Sequence, residues 1–305
     1  MRKKDFVSIR DWSSDELNQL LSTAAAVKAD LSKYSRKLEG KALAMIFEKP
    51  SLRTRVSFDV GIHQLGGFST CLNKDEINLG KRESVRDVAK NLERMVQGIM
   101  IRTFGHENVE KMAESACIPV INGLSDFSHP CQAMADYLTI LEAKKTLKGI
   151  KIAYVGDGNN VAHSLIYAAA RLGAHLAVAT PKGYEPNSDV LKWAKENAST
   201  TGCKLDIIQD PVAAAEGADV IYTDVWASMG LESEAEHRQK VFKSYQVNDA
   251  LVRHAKKDYI FMHCLPAHRG EEVTDSVIDS PNSIVFQQSE NRLHAQKAVL
   301  LALMA

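Results

Sequence analysis

The sequence carries no net charge, few cysteines and no long apolar run. Lysine and arginine total 38, and aspartate and glutamate also total 38. A balanced charge gives no case for nucleic acid or an anionic membrane as partner, so any positive potential that matters must be local. No apolar stretch reaches the roughly 18–20 residues that span a bilayer. The basic start, Arg2-Lys3-Lys4, is followed by no long apolar segment, so no secretory signal is expected. The five cysteines (Cys71, Cys117, Cys131, Cys203 and Cys264) are scattered and odd in number. That suits reduced thiols in a cytoplasm better than a disulfide framework. A P-loop is missing, so a nucleoside triphosphate is not implied. His263, Cys264 and His268 do not match a zinc spacing, and no carboxylate cluster suggests a metal.

What is present is an alternation of short β-rich runs and longer helical ones. Strands are expected at 43–48, 68–73, 98–103 and 119–122, then at 151–156, 175–180, 204–209, 220–225, 259–264 and 283–287. Helices are expected at 54–65, 84–96, 108–116, 131–143, 161–172 and 189–198, with a first helix capped by Ser13 and Glu16 and a last one over 291–304. The alternation predicts an α/β protein of two doubly wound domains, with parallel sheets covered by helices. At 305 residues two domains are also the natural size. The polar stretch from Lys144 to Gly149 places the boundary, giving domains 1–147 and 148–290 joined by interdomain helices.

Ligands of open parallel sheets bind beyond the carboxyl ends of the strands. The chemically unusual segments fall at those ends and are expected to face one cleft. Ser51-Leu52-Arg53-Thr54-Arg55 follows the first strand and opens a helix, which makes an anion trap of unpaired N–H groups, dipole and guanidinium. A plainly capped, solvated helix start is the alternative. Arg102 ends a strand. His129 and Gln132 share a helical face and offer directed donors and acceptors to a carbonyl or amide. Asp224 suits a substrate ammonium, or merely caps a strand end; Cys264 is either functional or simply buried.

Gly156-Asp157-Gly158-Asn159-Asn160-Val161 invites a dinucleotide reading but fails it twice. Val161 stands where the third glycine belongs, and the next strand, with Ala177-Val178-Ala179-Thr180, ends without an acidic residue. A turn presenting Asn160 to a small polar ligand fits better.

Taken in order, these segments resemble the aspartate/ornithine carbamoyltransferase superfamily. The matching motifs are Phe47-Glu48-Lys49-Pro50-Ser51-Leu52-Arg53-Thr54-Arg55, Ile101-Arg102-Thr103, His129-Pro130-Cys131-Gln132, Asp157-Gly158-Asn159-Asn160, Asp224-Val225-Trp226-Ala227-Ser228-Met229-Gly230, His263-Cys264-Leu265-Pro266 and Glu290-Asn291-Arg292. The Ser-Met-Gly and His-Cys-Leu-Pro elements are similar to the ornithine branch.

The resemblance implies a carbamoyl phosphate domain, an ornithine domain and a C-terminal helix, 291–305, packed back on the first. It implies carbamoyl transfer from carbamoyl phosphate to the δ-amine of ornithine, with no cofactor or metal. It also implies a homotrimer, or a multiple of trimers, with sites at subunit interfaces. Ser51, Leu52, Arg53, Thr54 and Arg102 would hold phosphate, and Thr54, Arg102 and His129 would polarise the carbamoyl oxygen. Gln132, the backbone of Cys264 and Leu265, and Arg292 would hold the carbamoyl amine. Asn160, Asp224, Ser228 and Met229 would bind ornithine, with Cys264 and Asp224 assisting proton removal. Asn78 stands where many ornithine enzymes have a glutamine that a neighbouring subunit lends to the phosphate. The rival readings are a transferase for another amine such as putrescine, a dinucleotide oxidoreductase, and a binding protein that kept the fold.

Overall fold

A computed structural model describes residues 4–227, 230 and 232–305. Two compact units emerge. One runs up to Leu138 and includes Glu290–Ala305; the other is Thr139–Ser289. Both boundaries fall inside helices, Pro130–Lys144 and Val285–Met304. The first lies upstream of the polar stretch that marked it in the sequence. Lys144, in the last turn of its helix, already belongs to the second unit and pairs with Asp258 there at 3.0 Å.

The first unit holds a four-stranded sheet in the order β2-β1-β3-β4, with β1 Ala42–Phe47, β2 Phe68–Asn73, β3 Gly98–Arg102 and β4 Val120–Leu124. All its pairings are parallel. Every residue of β1 and β3 is buried. Such strands are covered on both faces, which is why they read as continuous apolar runs without alternation.

The second unit holds a five-stranded parallel sheet in the order β7-β6-β5-β8-β9. Its strands are β5 Lys151–Val155, β6 His175–Ala179, β7 Leu205–Ile208, β8 Val220–Thr223 and β9 Ile260–His263. Its core packs Ala153, Val155, Ile221 and Phe261 of the sheet against Trp226, Phe242 and Val277. The doubly wound α/β class expected from the alternation is observed.

Local signals explain most element starts. Ser13 and Glu16 form a reciprocal capping box at the head of Ser14–Ala29. Ser84 caps Val85–Leu92 by accepting the Asp87 N–H at 3.0 Å. One expected strand is corrected. Residues 283–287 do not form one; Ser283 makes a single bridge to Phe261, and the terminal helix starts at Val285 instead of Asn291. The β-branched and aromatic run Ile284-Val285-Phe286 reads as a strand, but local propensity is a weak prior that tertiary packing overrides. Among the described residues, no helix is long and apolar enough to cross a membrane.

Candidate active site

In the first unit, β1 runs into the helix Leu52–Gln64 through Ser51, whose extended backbone and side chain form the N-cap. Ser51 Oγ accepts the Thr54 N–H at 3.2 Å. The helix thus begins earlier than its apolar pattern suggests, and Leu52, Arg53 and Thr54 occupy its first turn. There the N–H groups have no partner four residues back and the positive end of the dipole lies.

Thr54 is wholly buried, and its hydroxyl gathers two arginines. Arg102, closing β3, donates Nη1–H to Thr54 Oγ1 at 3.3 Å. Arg292, from the terminal helix, donates Nη2–H to the same oxygen at 2.9 Å. Arg292 Nη1–H reaches Gln132 Oε1 at 2.7 Å. Gln132 Nε2–H in turn donates to Asp136 Oδ1 at 2.8 Å. A carboxylate only accepts, so Asp136 turns the Gln132 amide nitrogen toward itself and its oxygen toward Arg292.

His129 precedes the helix Pro130–Lys144, where its carbonyl takes the Gln132 N–H at 3.1 Å. Burial, and then the charges of Arg292, Arg102 and Arg53, hold its imidazole well below the usual range. It is therefore neutral near pH 7 and able to donate one N–H without adding charge. Cys131 of the same motif is buried, and its thiol is pushed up to about 12 by desolvation. It is an inert packing residue. Lys49 lies 4.0 Å above the Phe104 ring.

In the second unit, Asp224 follows β8 and Cys264 follows β9. The Cys264 thiol donates to Asp224 Oδ1 at 2.9 Å. Asn159 Nδ2–H donates to Asp224 Oδ2 at 2.8 Å. The Asn159 oxygen caps the helix Asn160–Leu172 by accepting the Val161 and Ala162 N–H groups. One side chain thus ties a helix start to the carboxylate. Asn160, the expected ligand, is the first residue of that helix.

Asp157 Oδ2 accepts from Arg238 Nη1 at 2.7 Å, and Arg238 also reaches the Trp226 carbonyl at 2.9 Å. Burial raises the Asp157 carboxyl, against the opposing pull of Arg238. Burial, then Asp224, Asp157 and Cys264, raise the Tyr154 hydroxyl well above its ordinary value, so it stays protonated.

The glycine at 158 has a reason inside the chain. A Cβ there would lie 2.3 Å from the Pro186 nitrogen. Close approach to the neighbouring backbone, and not to a pyrophosphate, explains this glycine.

Ser228 and Met229 lie outside the described residues. Asn78 is exposed and takes a left-handed conformation (φ 47°) at the end of the short helix Lys74–Ile77, a position asparagine tolerates well. Leu265 also has a positive φ, of 58°. Its backbone N–H donates to His263 Nδ1 at 2.8 Å.

Asp224, His263 and Cys264 bring donor atoms within 4.8 Å of one another. Both ring nitrogens of His263 are already engaged, by the Leu265 N–H and by Glu272, so imidazole coordination of a metal would break one of these bonds.

Sequence reasoning passed over Asp136, Asn159, Arg238 and Glu272. Two had local signals. Asp136 stands four residues beyond Gln132 on one helix face, and Asn159 is a favoured N-cap type directly before a helix. Arg238 and Glu272 meet their partners only through the fold.

Fold and residues together define a two-domain α/β protein, each domain gathering buried polar groups beyond the carboxyl ends of its own sheet. Two family models match successive stretches of the chain. The aspartate/ornithine carbamoyltransferase carbamoyl-P binding domain matches residues 4–142, and the Asp/Orn binding domain of the same family matches 148–303. An ornithine carbamoyltransferase of Thermococcus kodakarensis is 60% identical over 303 residues, covering 99% of this chain and 96% of that one. The Pyrococcus furiosus relative, described as an anabolic ornithine carbamoyltransferase, is 58% identical over 99% of this chain and 96% of its own. A solved structure of ornithine carbamoyltransferase from that organism superposes with a TM-score of 0.96, covering 99% of this chain and 97% of the other. That from Gloeobacter violaceus gives 0.90 at 47% identity, covering 100% of both chains. The chain belongs to the aspartate/ornithine carbamoyltransferase family.

Proposed function

We propose that this enzyme transfers the carbamoyl group of carbamoyl phosphate to the δ-amine of L-ornithine, releasing phosphate and forming L-citrulline. The observation that carries the reading is the Arg102–Thr54–Arg292–Gln132 cluster beside a neutral His129. It offers charge for a phosphate and neutral donors for a carbonyl within one buried network.

The roles follow from the chemistry of each group. The first turn after Ser51, including Leu52, and the guanidinium groups of Arg53 and Arg102 suit the phosphate dianion. Thr54, Arg102 and His129 suit the carbamoyl oxygen, on which negative charge develops as the amine attacks. Losing one such preorganised donor typically costs about 2.7–4 kcal/mol of transition-state stabilisation. Gln132, Arg292 and the backbone of Cys264 and Leu265 suit the carbamoyl amine. Asp224, with Asn160, Ser228 and Met229, suits the amino-acid acceptor.

The acceptor brings its own barrier. A lysine-like ammonium has a pKa of about 10.4, so at pH 7 roughly one molecule in 2,500 is free amine, a cost of about 4.6 kcal/mol. The nitrogen lone pair forms the new bond to the carbamoyl carbon, and the carbon–oxygen bond to phosphate breaks. The proton lost by the nitrogen passes to the Asp224–Cys264 pair. Holding both substrates in line contributes a further ~7–11 kcal/mol. No step calls for a metal or an organic cofactor.

We also propose self-association as a trimer or a multiple of trimers in the cytoplasm, with the forward direction serving arginine synthesis, and with Asn78 offered to a neighbouring subunit's phosphate. An exposed apolar stripe supports self-association. Leu52, Val56 and Val60 recur every four residues along one helix and are 73%, 50% and 38% exposed. The activity is tested by omission: purified protein should release phosphate and consume ornithine in equal amounts, and only when both substrates are present. Phosphate release independent of ornithine would overturn the proposal.

A further inference from the structure

His263 closes β9, and Glu272 lies in the loop beyond it. Both are wholly buried, and the proposed chemistry uses neither. His263 Nε2 stands 3.1 Å from Glu272 Oε1. On the other side of the ring, Nδ1 accepts the Leu265 backbone N–H at 2.8 Å. A ring nitrogen that accepts carries no proton, so the proton sits on Nε2 and is donated to Glu272.

Glu272 is itself anchored. Its Oε1 also takes the His268 N–H at 2.6 Å, and its carbonyl takes the Val247 N–H at 2.8 Å. The backbone N–H of His263 donates to Gln288 Oε1 at 2.9 Å, and Gln288 Nε2–H donates to the Tyr222 hydroxyl at 3.1 Å. The imidazole is fixed in place and in tautomer.

That ring governs an unusual piece of backbone. Leu265 has φ 58°, a region that bulky residues rarely adopt and that persists only where the surroundings hold it. The Cys264–Leu265 peptide is planar and trans, so its N–H and C=O point opposite ways. Pinning the Leu265 N–H to His263 therefore aims the Cys264 carbonyl away from the ring.

We propose that His263 and Glu272 are a positioning pair: Glu272 sets the imidazole tautomer, and His263 orients the Cys264 carbonyl to accept an N–H of the carbamoyl group. The inference rests on the carbamoyl-transfer reading and assigns a task to two residues which that reading leaves idle.

Two variants of the full chain separate orientation from mere packing. His263→Asn places an amide oxygen where Nδ1 stood, keeping the acceptor for Leu265 and losing Glu272. His263→Gln reaches Glu272 but leaves the Leu265 N–H without its acceptor. Each replaces a buried imidazole by an amide, so their folding losses should be similar. The expected result is a kcat about 100-fold below wild type for His263→Gln, because a misplacement of about 1 Å costs on that order. For His263→Asn the loss should stay within about tenfold, with similar thermal midpoints for the two. Equal losses of kcat in both would overturn the proposal.

Nitrogen-15 spectroscopy of histidine-labelled wild type supplies a readout independent of folding variants. It should find the proton of the neutral His263 ring on Nε2; a proton on Nδ1 would overturn the pair. A wild type that makes no citrulline would remove the carbamoyl reading instead, and the tautomer would still decide the geometry.

Discussion

Arg292 Nη2–H donates to Thr54 Oγ1 at 2.9 Å across 238 positions of sequence. The bond draws the terminal helix onto the strand-to-helix turn of the first unit, and Arg102 converges on the same oxygen. A single hydroxyl thus spaces two guanidinium groups at the proposed carbamoyl oxygen.

Thr54→Val keeps the shape of that side chain and removes the shared acceptor. Two buried guanidinium groups lose the oxygen that fixes them, and the hydroxyl is lost as a donor. The expected outcome is a kcat about 10²–10³-fold lower, the range for losing one preorganised donor, while the fold survives. Steady-state citrulline formation checks it. An unchanged kcat would contradict the placement of Thr54 at the reacting carbonyl.

Arg53 occupies the first turn of its helix, near enough to His129 to help depress the imidazole. Hydrogen bonds to charged groups contribute about 1.5–3 kcal/mol. Arg53→Ala should therefore weaken carbamoyl phosphate binding by about tenfold or more. Calorimetric titration with carbamoyl phosphate is the check, and unchanged affinity would speak against a phosphate site there.

His129 gives a pH signature. Its folded imidazole lies well below the ordinary 6.5, because of burial first and then of Arg292, Arg102 and Arg53. As pH falls through about 6.5, the unfolded chain takes up a proton there that the folded chain refuses. The contribution is complete above that pH and is lost on acidification. His106 and His294 are also lowered, chiefly by burial, and act in the same direction. The drop in thermal midpoint from pH 7.5 to 5.5 should be larger for wild type than for His129→Asn. Equal drops would mean that His129 titrates normally.

The reactive acceptor is the free amine, so kcat/KM for ornithine should rise with pH between 6 and 8, approaching tenfold per unit. Initial rates with ornithine well below saturation measure it. A flat profile would remove the free amine from the argument.

Much of this arrangement was legible in the chain. Parallel strands buried on both faces leave short apolar runs, and ligand groups in such folds sit just past them; hence Ser51, Arg102, His129, Asp224 and Cys264 stood out at strand ends. The start of the terminal helix was misread because Ile284-Val285-Phe286 carries strand chemistry into a helix. Asn159 was passed over for Asn160, although its side chain does two tasks, capping a helix and holding Asp224. The bonds of Glu272 to His263 and of Arg292 to Thr54 leave no mark on sequence periodicity, since neither partner is a neighbour along a helix or strand.

The identity of the acceptor decides the proposed activity most directly. Purified enzyme given carbamoyl phosphate with equal ornithine and putrescine should yield citrulline with little carbamoylputrescine, because Asp224 and Asn160 are assigned to an amino-acid head that putrescine lacks. Carbamoylputrescine as the main product, or no carbamoylated amine at all, would contradict it.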